Sequence, residues 1–302
     1  MTDYRVTKRR SLLAMGFEKL VKTFDLRNKL NNDSYEKLQA LQDAASPVKR
    51  RFKKQTIAGT VCFWVSPPKE GRKVLIYLAG GGFIIGPSRL HWDYCESLAS
   101  KLDLSVLLIR YPLAPQHPFP QGLDAVTNVI TTLQSEGVLG NHWLMAGDSA
   151  GGNLTVATCY KLHERKAVLP EKIILLFPVL DMSGEVMDEE DKALAATDYI
   201  LSPEFTNRVK EAYWGSYEAT HPFISPIFGN LGVLPPMLIL QGNHDILVKG
   251  TRDFVQKMKE LGKPVLYEEY EGMFHGFLLL PLLPEAKQAF ISVENFVKGY
   301  LK

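Results

Sequence analysis

Apolar residues recur at helical spacing near the start of the chain, at Leu12, Leu13, Phe17, Leu20, Val21 and Phe24, and again after Ser34 at Leu38 and Leu41. That period predicts early helices outside any sheet, over about residues 7–45. The pattern then turns to short β-rich runs: RFKKQTI, then TVCFWV with alternating character, then KVLIYLA after the turn signal Glu70-Gly71. Farther on, short and continuously apolar runs alternate with helical stretches: SVLLIRY at 105–111, HWLMAG at 142–147, KIILLFP at 172–178, MLILQG at 237–242 and VLYEEY at 265–270. Such runs suit strands covered on both faces. Parallel neighbours need long crossovers, so the alternation predicts an α/β fold with a doubly wound, mostly parallel sheet. Ligands of such a sheet sit at the carboxyl ends of its strands.

One stretch breaks the rhythm. Between Pro178 and Met237 lie acidic EVMDEED and a helix start at Ser202-Pro203, too much chain for a loop. It reads as an insertion. Residues 1–48 and 183–222 are therefore expected to form the two parts of a helical cap over a core made of 49–182 and 223–302. No internal repeat, low-complexity tract or flexible linker interrupts this plan.

Gly147-Asp148-Ser149-Ala150-Gly151 follows the apolar strand HWLMA and precedes the helical stretch NLTVATCYKLHERK, the context that a nucleophile elbow requires. Glycines on both sides permit a tight, strained turn that lifts the serine hydroxyl above the sheet edge. A helix-capping serine is the plainer reading. A serine hydroxyl needs a base, and the base needs an acid that fixes its tautomer. Of seven histidines, only His275 sits in a glycine-flanked loop, EGMFHGF, just past the last strand, and Asp245 follows the strand MLILQG in the same way. Ser, Asp, His is the chain order of this architecture. His244 is the alternative base; Asp148 and Asp181 are the alternative acids, and Asp148 is expected to point away from Ser149. The remaining histidines, His91 among them, read as structural or solvated. A developing oxyanion needs donors, and the triplet Gly80-Gly81-Gly82 after KVLIYLA can turn backbone N–H groups inward. Gly81, Gly82 and the N–H of Ala150 are the candidate oxyanion hole.

Four segments, AGGGF at 79–83, YPLAPQHPFP at 111–120, GDSAGGN at 147–153, and the pair GNHDIL and FHGF, together resemble the hormone-sensitive-lipase family of carboxylesterases. The similarity runs through most of the chain from about residue 50. It implies an α/β-hydrolase core under a helical cap, no cofactor, and hydrolysis of short or medium acyl esters. It also matches Ser149, Asp245 and His275 to the triad, and Gly81, Gly82 and Ala150 to the oxyanion hole. Two positions depart from the family pattern. Ala79 stands where the family has a histidine that braces the oxyanion loop, and Gln116 where it has glutamate. Alanine keeps the donors but not the brace, so Ala79→His is expected to raise turnover.

The totals narrow the alternatives. The chain has 302 residues, 46% of them hydrophobic, which is enough for a sizeable core. A net charge of +2 gives no reason to expect a nucleic-acid partner. The basic runs Lys8-Arg9-Arg10 and KRRFKK at 49–54 read as solvated faces. Cys62, Cys95 and Cys159 are odd in number and widely spaced, which argues against a disulfide framework or metal cluster and for buried thiols in a reducing, cytoplasmic compartment. Apolar runs such as IILLFPVL and FLLLPLL are too short to span a membrane. The expected partner is a small-molecule ester, and an apolar stripe in the cap would also suit a homodimer. Leu12, Leu13, Phe17, Tyr199, Phe205, Tyr213 and Trp214 are candidates either for packing within the cap or for lining an acyl cavity. The triad alone leaves amidase, lactonase or acyltransferase chemistry open. A catalytically weak ligand-binding homologue is the reading from another class.

Overall fold

The structure is a computed structural model that describes residues 4–7, 10–45, 52–184 and 189–299. Lys8 and Arg9 of the first basic run, residues 49–51 of the second and 185–188 of the acidic run lie outside the described residues.

Nine strands form one sheet: β1 (Tyr4–Thr7), β2 (Lys53–Ile57), β3 (Thr60–Ser66), β4 (Val74–Leu78), β5 (Ser105–Ile109), β6 (Leu144–Asp148), β7 (Lys172–Leu176), β8 (Met237–His244) and β9 (Val265–Phe274). Their spatial order is β1-β9-β8-β7-β6-β4-β5-β3-β2. All neighbours are parallel except β2 with β3 and β3 with β5. A tight turn at Ala58 (φ 46°) and Gly59 (φ 79°) joins β2 to β3, and positive φ at both positions matches the twist of a two-residue hairpin. The visible end of the second basic run lies here: Lys53 and Lys54 are exposed on the sheet's edge strand, where charge discourages pairing with another chain. β1 is a departure from the cap assignment of residues 1–48. Residues 4–7 extend the opposite edge of the sheet beside Tyr267–Tyr270. Four residues are too few for a periodic signal, and the pairing joins segments far apart in sequence.

Successive strand residues point to opposite faces, and both faces are covered. Ile76, Leu78, Leu107, Met145, Leu175 and Ile239 pack under α5 (Gln121–Ser135), α6 (Ala150–Glu164) and α9 (Val248–Glu260). Leu75, Tyr77, Leu108, Ala146, Leu176 and Leu240 pack on the other side with α4 (Arg89–Leu102) and α10 (Pro284–Lys298). This two-sided burial is why the strands carry unbroken apolar runs.

The helices outside the sheet are α1 (Leu12–Phe24), α2 (Leu26–Asn32), α3 (Tyr35–Ala45), α7 (Glu189–Thr197) and α8 (Pro203–Val209). α8 begins where Ser202 accepts the Phe205 N–H, and it runs into a wide turn closed by Gly215 N–H on the Lys210 carbonyl. The N-terminal and inserted helices meet through polar contacts. Arg208 donates to the carbonyls of Leu30 and Asp33, Tyr35 donates to the Arg208 carbonyl, and Ser202 donates to Asn31. Arg27 donates to the carbonyls of Ala195 and Asp198. α1 instead packs on the core: Ala14 is fully buried, Phe17 stacks on Phe274, and Ser11 is hydrogen bonded to Glu285 of α10.

Candidate active site

β6 ends at Asp148 and α6 begins at Ala150, so Ser149 alone makes the turn, with φ 51° and ψ −120°. A non-glycine residue is strained there and must be held by its surroundings. They do hold it. Ser149 N–H donates to the Leu176 carbonyl at 2.9 Å, and its own carbonyl accepts from Asn153 at 3.1 Å and Val179 at 3.2 Å. The flanking glycines are demanded by contact: a Cβ on Gly147 would lie 2.3 Å from the Gly151 oxygen, and one on Gly151 would lie 2.0 Å from the Leu78 oxygen.

His275 follows β9 directly, and Asp245 follows β8. His275 Nε2 lies 3.0 Å from Ser149 Oγ, and its Nδ1 lies 2.8 Å from Asp245 Oδ2. Asp245 is fully buried and also accepts from Gln241 Nε2 at 2.8 Å and from the Leu247 N–H at 2.9 Å. With Nδ1–H given to the carboxylate, Nε2 keeps a lone pair for the serine hydroxyl. Burial disfavours the His275 imidazolium, but the charge and hydrogen bond of Asp245, with help from Asp198 and Asp148, outweigh it, and the pKa stands above the ordinary histidine value. The Phe177 ring packs against it at a steep angle, 4.8 Å between centroids.

Gly81 and Gly82 line the same cavity as Ser149 and His275. Gly81 has φ 126°, and a Cβ there would lie 2.2 Å from the Ile85 oxygen. Its carbonyl accepts from Ile84 and Ile85, which commits that side of the peptide to the loop. Ala150, buried behind Ser149, is the first residue of α6, where N–H groups have no partner within the helix and the helix dipole favours negative charge. The arrangement can deprotonate a serine and receive an oxyanion.

The glycine loop after β4 is braced without a histidine at position 79. Asp148 is buried beneath it, accepts from Tyr77 Oη at 2.7 Å, faces His91 Nε2 at 3.2 Å and takes the Gly80 N–H. His91 Nδ1 accepts the Ser88 N–H at 2.9 Å, so the neutral ring carries its proton on Nε2, toward Asp148. Burial raises the Asp148 carboxyl, but His91 beside it and the hydrogen bonds from Tyr77 and Gly80 prevail and hold it below the ordinary carboxylate value. From the other side, Tyr111 Oη donates to the Ala79 carbonyl at 2.6 Å. Ala79 itself is enclosed among apolar side chains, which removes the reason to expect a gain from Ala79→His. Sequence reasoning set His91 aside as structural or solvated and gave Tyr77 and Tyr111 no role. For Tyr77 a local signal existed, since it shares a strand face with Ala79 immediately before the glycines. Gln116 accepts from Gln39 of α3 at 2.9 Å, an amide pair between the core loop and an N-terminal helix.

The alternative residues stand elsewhere. His244 ends β8, half-buried among Arg10, Glu18 and Lys22, and its pKa is lowered first by burial and then by Arg10. Asp181 accepts from the N–H and hydroxyl of Ser183. Of the cap candidates only Phe205 lines the cavity, beside Leu30, Leu201 and Val209. Leu12 and Leu13 are exposed; Phe17 and Tyr199 pack on Phe274; Tyr213 stacks on Phe83 at 3.8 Å; Trp214 is buried. Cys62, Cys95 and Cys159 are buried free thiols, and burial raises the pKa of each, that of Cys62 to about 12. Among the described residues no three His, Cys, Asp or Glu are grouped to hold a metal ion, and no helix is long and apolar enough to cross a membrane.

Residues 75–279 match the family model described as the alpha/beta hydrolase fold. An esterase of Acinetobacter venetianus is 30% identical over 226 residues, covering 74% of each chain. An acetyl-hydrolase of Streptomyces hygroscopicus is 29% identical over 244 residues, covering 80% of this chain and 81% of its own. The crystal structure of an esterase from the bacterial hormone-sensitive-lipase family superposes with a TM-score of 0.85 at 25% identity, over 97% of this chain and 99% of that one. A strained serine between strand and helix, a histidine and an aspartate on successive strand ends, and esterase relatives that match most of the chain lead to one assignment: the chain belongs to the hormone-sensitive-lipase family of α/β hydrolases and is a carboxylic-ester hydrolase.

Proposed function

We propose that the protein is a serine carboxylesterase for short- to medium-chain acyl esters, with Ser149 as nucleophile, His275 as base, Asp245 as its acid partner, and Gly81, Gly82 and Ala150 as oxyanion donors. The observation that carries this reading is the unbroken hydrogen-bonded chain from Ser149 through His275 to Asp245, opening into an apolar cavity lined by Gly81 and Gly82. Ser149 Oγ attacks the ester carbonyl as its proton passes to His275 Nε2. The tetrahedral oxyanion is held by the backbone donors; its collapse expels the alcohol, which takes the proton from His275. Water then gives a proton to the same nitrogen and attacks the acyl-enzyme; collapse breaks the bond to Ser149 Oγ, which takes that proton back as the acid is released.

Cavity size supports the acyl range. Its volume is about 190 Å³, against roughly 150 Å³ for a cavity that accepts benzene, so an acyl chain of a few carbons fits within it. The acetyl-hydrolase relative agrees with the short end of that range. Phe205 sets the wall over the oxyanion loop, its ring 2.9 Å from where a Gly82 Cβ would stand. Phe205→Ala is expected to raise kcat/KM for octanoate relative to butyrate esters by about tenfold, the loss of an aromatic wall being worth one to two methylene contacts. Equal change on both esters would remove Phe205 from acyl selection.

The test of the activity is a pre-steady-state assay on p-nitrophenyl acetate and butyrate. A burst that depends on Ser149, followed by sustained turnover, is the expected result; a burst without turnover would mean that water is not the favoured acceptor. Since the base must be neutral, kcat/KM falls as pH drops through the raised pKa of His275. The acid limb should therefore have its midpoint above about 6.5. A midpoint below that value would contradict the net charge environment of His275.

A further inference from the structure

Asp198 lies just past the C-terminus of α7, in the inserted segment, and is 1% exposed. One carboxylate oxygen accepts the N–H groups of Ile200 and Leu201, each at 2.8 Å, and both residues line the cavity. The other accepts the Ile246 N–H at 3.0 Å. Ile246 is the neighbour of Asp245, and the next N–H, that of Leu247, caps Asp245 itself. The backbone carbonyl of Asp198 is gripped in turn by Arg27 of α2 at 2.8 Å. A single buried carboxylate thus ties the cavity wall and the N-terminal helices to the loop that carries the acid.

We propose that Asp198 is a positioning residue for the esterase reaction, supplied by the cap, which holds the Asp245 loop through Ile246 and sets a second buried negative charge behind His275. The inference rests on the esterase reading above. All three groups that reach the carboxylate are donors, so asparagine would keep the first pair through its carbonyl and turn an N–H₂ toward Ile246. The charges that His275 meets are Asp245, Asp198 and Asp148, all negative; those that Asp198 meets are Asp245, which opposes its ionisation, His275, which favours it, and the Arg27 guanidinium held on its backbone carbonyl. Burial first and then Asp245 raise the Asp198 carboxyl to about 6, so it carries its charge above that pH. Removing its charge takes away support for the imidazolium. The His275 pKa falls, and the acid limb of kcat/KM moves to lower pH.

The experiment compares native protein with Asp198→Asn and Asp198→Ser by burst amplitude and by the pH profile of kcat/KM on p-nitrophenyl butyrate. The burst counts competent sites, so a loss of folded protein is separated from a change in each site. Both variants should shift the acid limb down by about half a pH unit or more. On the alkaline plateau, kcat should fall by about tenfold as the Asp245 loop loosens, with little change in KM. Serine would keep an acceptor for one N–H without the charge, so the two variants should agree on the pH shift. An unmoved limb in whichever variant retains a burst would overturn the proposal and leave Asp198 as an anchor of the cap. Should neither variant fold, Arg27→Gln, which loosens the grip on the same corner, is expected to lower kcat more than it raises KM; a KM effect alone would overturn the proposal. Absence of any Ser149-dependent burst or turnover in native protein would instead defeat the esterase reading.

Discussion

With Ser149 replaced by alanine, kcat/KM on p-nitrophenyl butyrate should fall by about 10⁴–10⁶ and the burst should vanish, while the fold survives. The size of the loss follows from the roles of the three groups. Without Oγ no acyl-enzyme can form, and the intact base and oxyanion donors retain only their small effect on direct attack by water. Survival of the fold follows from the backbone. The N–H and carbonyl of Ser149 carry its bonds to Leu176, Asn153 and Val179, and alanine makes the same bonds at the same φ and ψ. Circular dichroism with steady-state and burst kinetics would separate the two effects. Retention of a tenth or more of the activity in folded protein would rule out Ser149 as the nucleophile.

The second large effect is expected from Asp245→Asn, a loss of about 10⁴ in kcat with little change in substrate binding. Every group that reaches Asp245 donates to it: His275 Nδ1–H, Gln241 Nε2–H and the Leu247 N–H. An asparagine must turn its N–H₂ toward at least one of them. Placed toward His275, it demands an acceptor at Nδ1 and drives the ring proton to Nε2, where it faces Ser149 and cannot serve as a base. Turned the other way, it opposes Leu247 and disturbs the loop. The acid limb should also move down, because the largest charge supporting the imidazolium is gone. A loss confined to KM would show that Asp245 shapes the pocket instead of the base. The same logic separates Asp245 from Asp198: the first touches the ring, whereas the second acts through the loop and should cost far less.

How much of this was legible depended on how local each signal was. The elbow was, because strand, glycine, serine, glycine and helix are consecutive and the steric need for Gly147 and Gly151 is met within a few residues and the adjoining strand. Asp245 and His275 were legible one step further out, from their place after strands and from chain order. The brace under the oxyanion loop was not. It joins Tyr77, Ser88, His91, Tyr111 and Asp148 from four segments, and a buried histidine looks in sequence like any other. The substitution at Ala79 suggested a missing support, yet the support reaches the neighbouring peptide groups from residues that no motif marks. Within the cap, Leu12 and Phe205 looked equivalent, one now exposed and the other at the cavity wall.

The sequence by itself determined the α/β alternation, the strained serine and the candidates for base and acid, because each depends on backbone sterics, apolar periodicity or position relative to a strand end. Tertiary structure alone decided which carboxylates meet. Asp148 turned under the glycine loop, Asp181 closed a local turn, Asp198 reached from the inserted segment to the loop of Asp245, and Asp245 met His275. Four aspartates of the same chemistry took four tasks because hydrogen bonds and burial act over a few ångströms in space, whatever the separation along the chain.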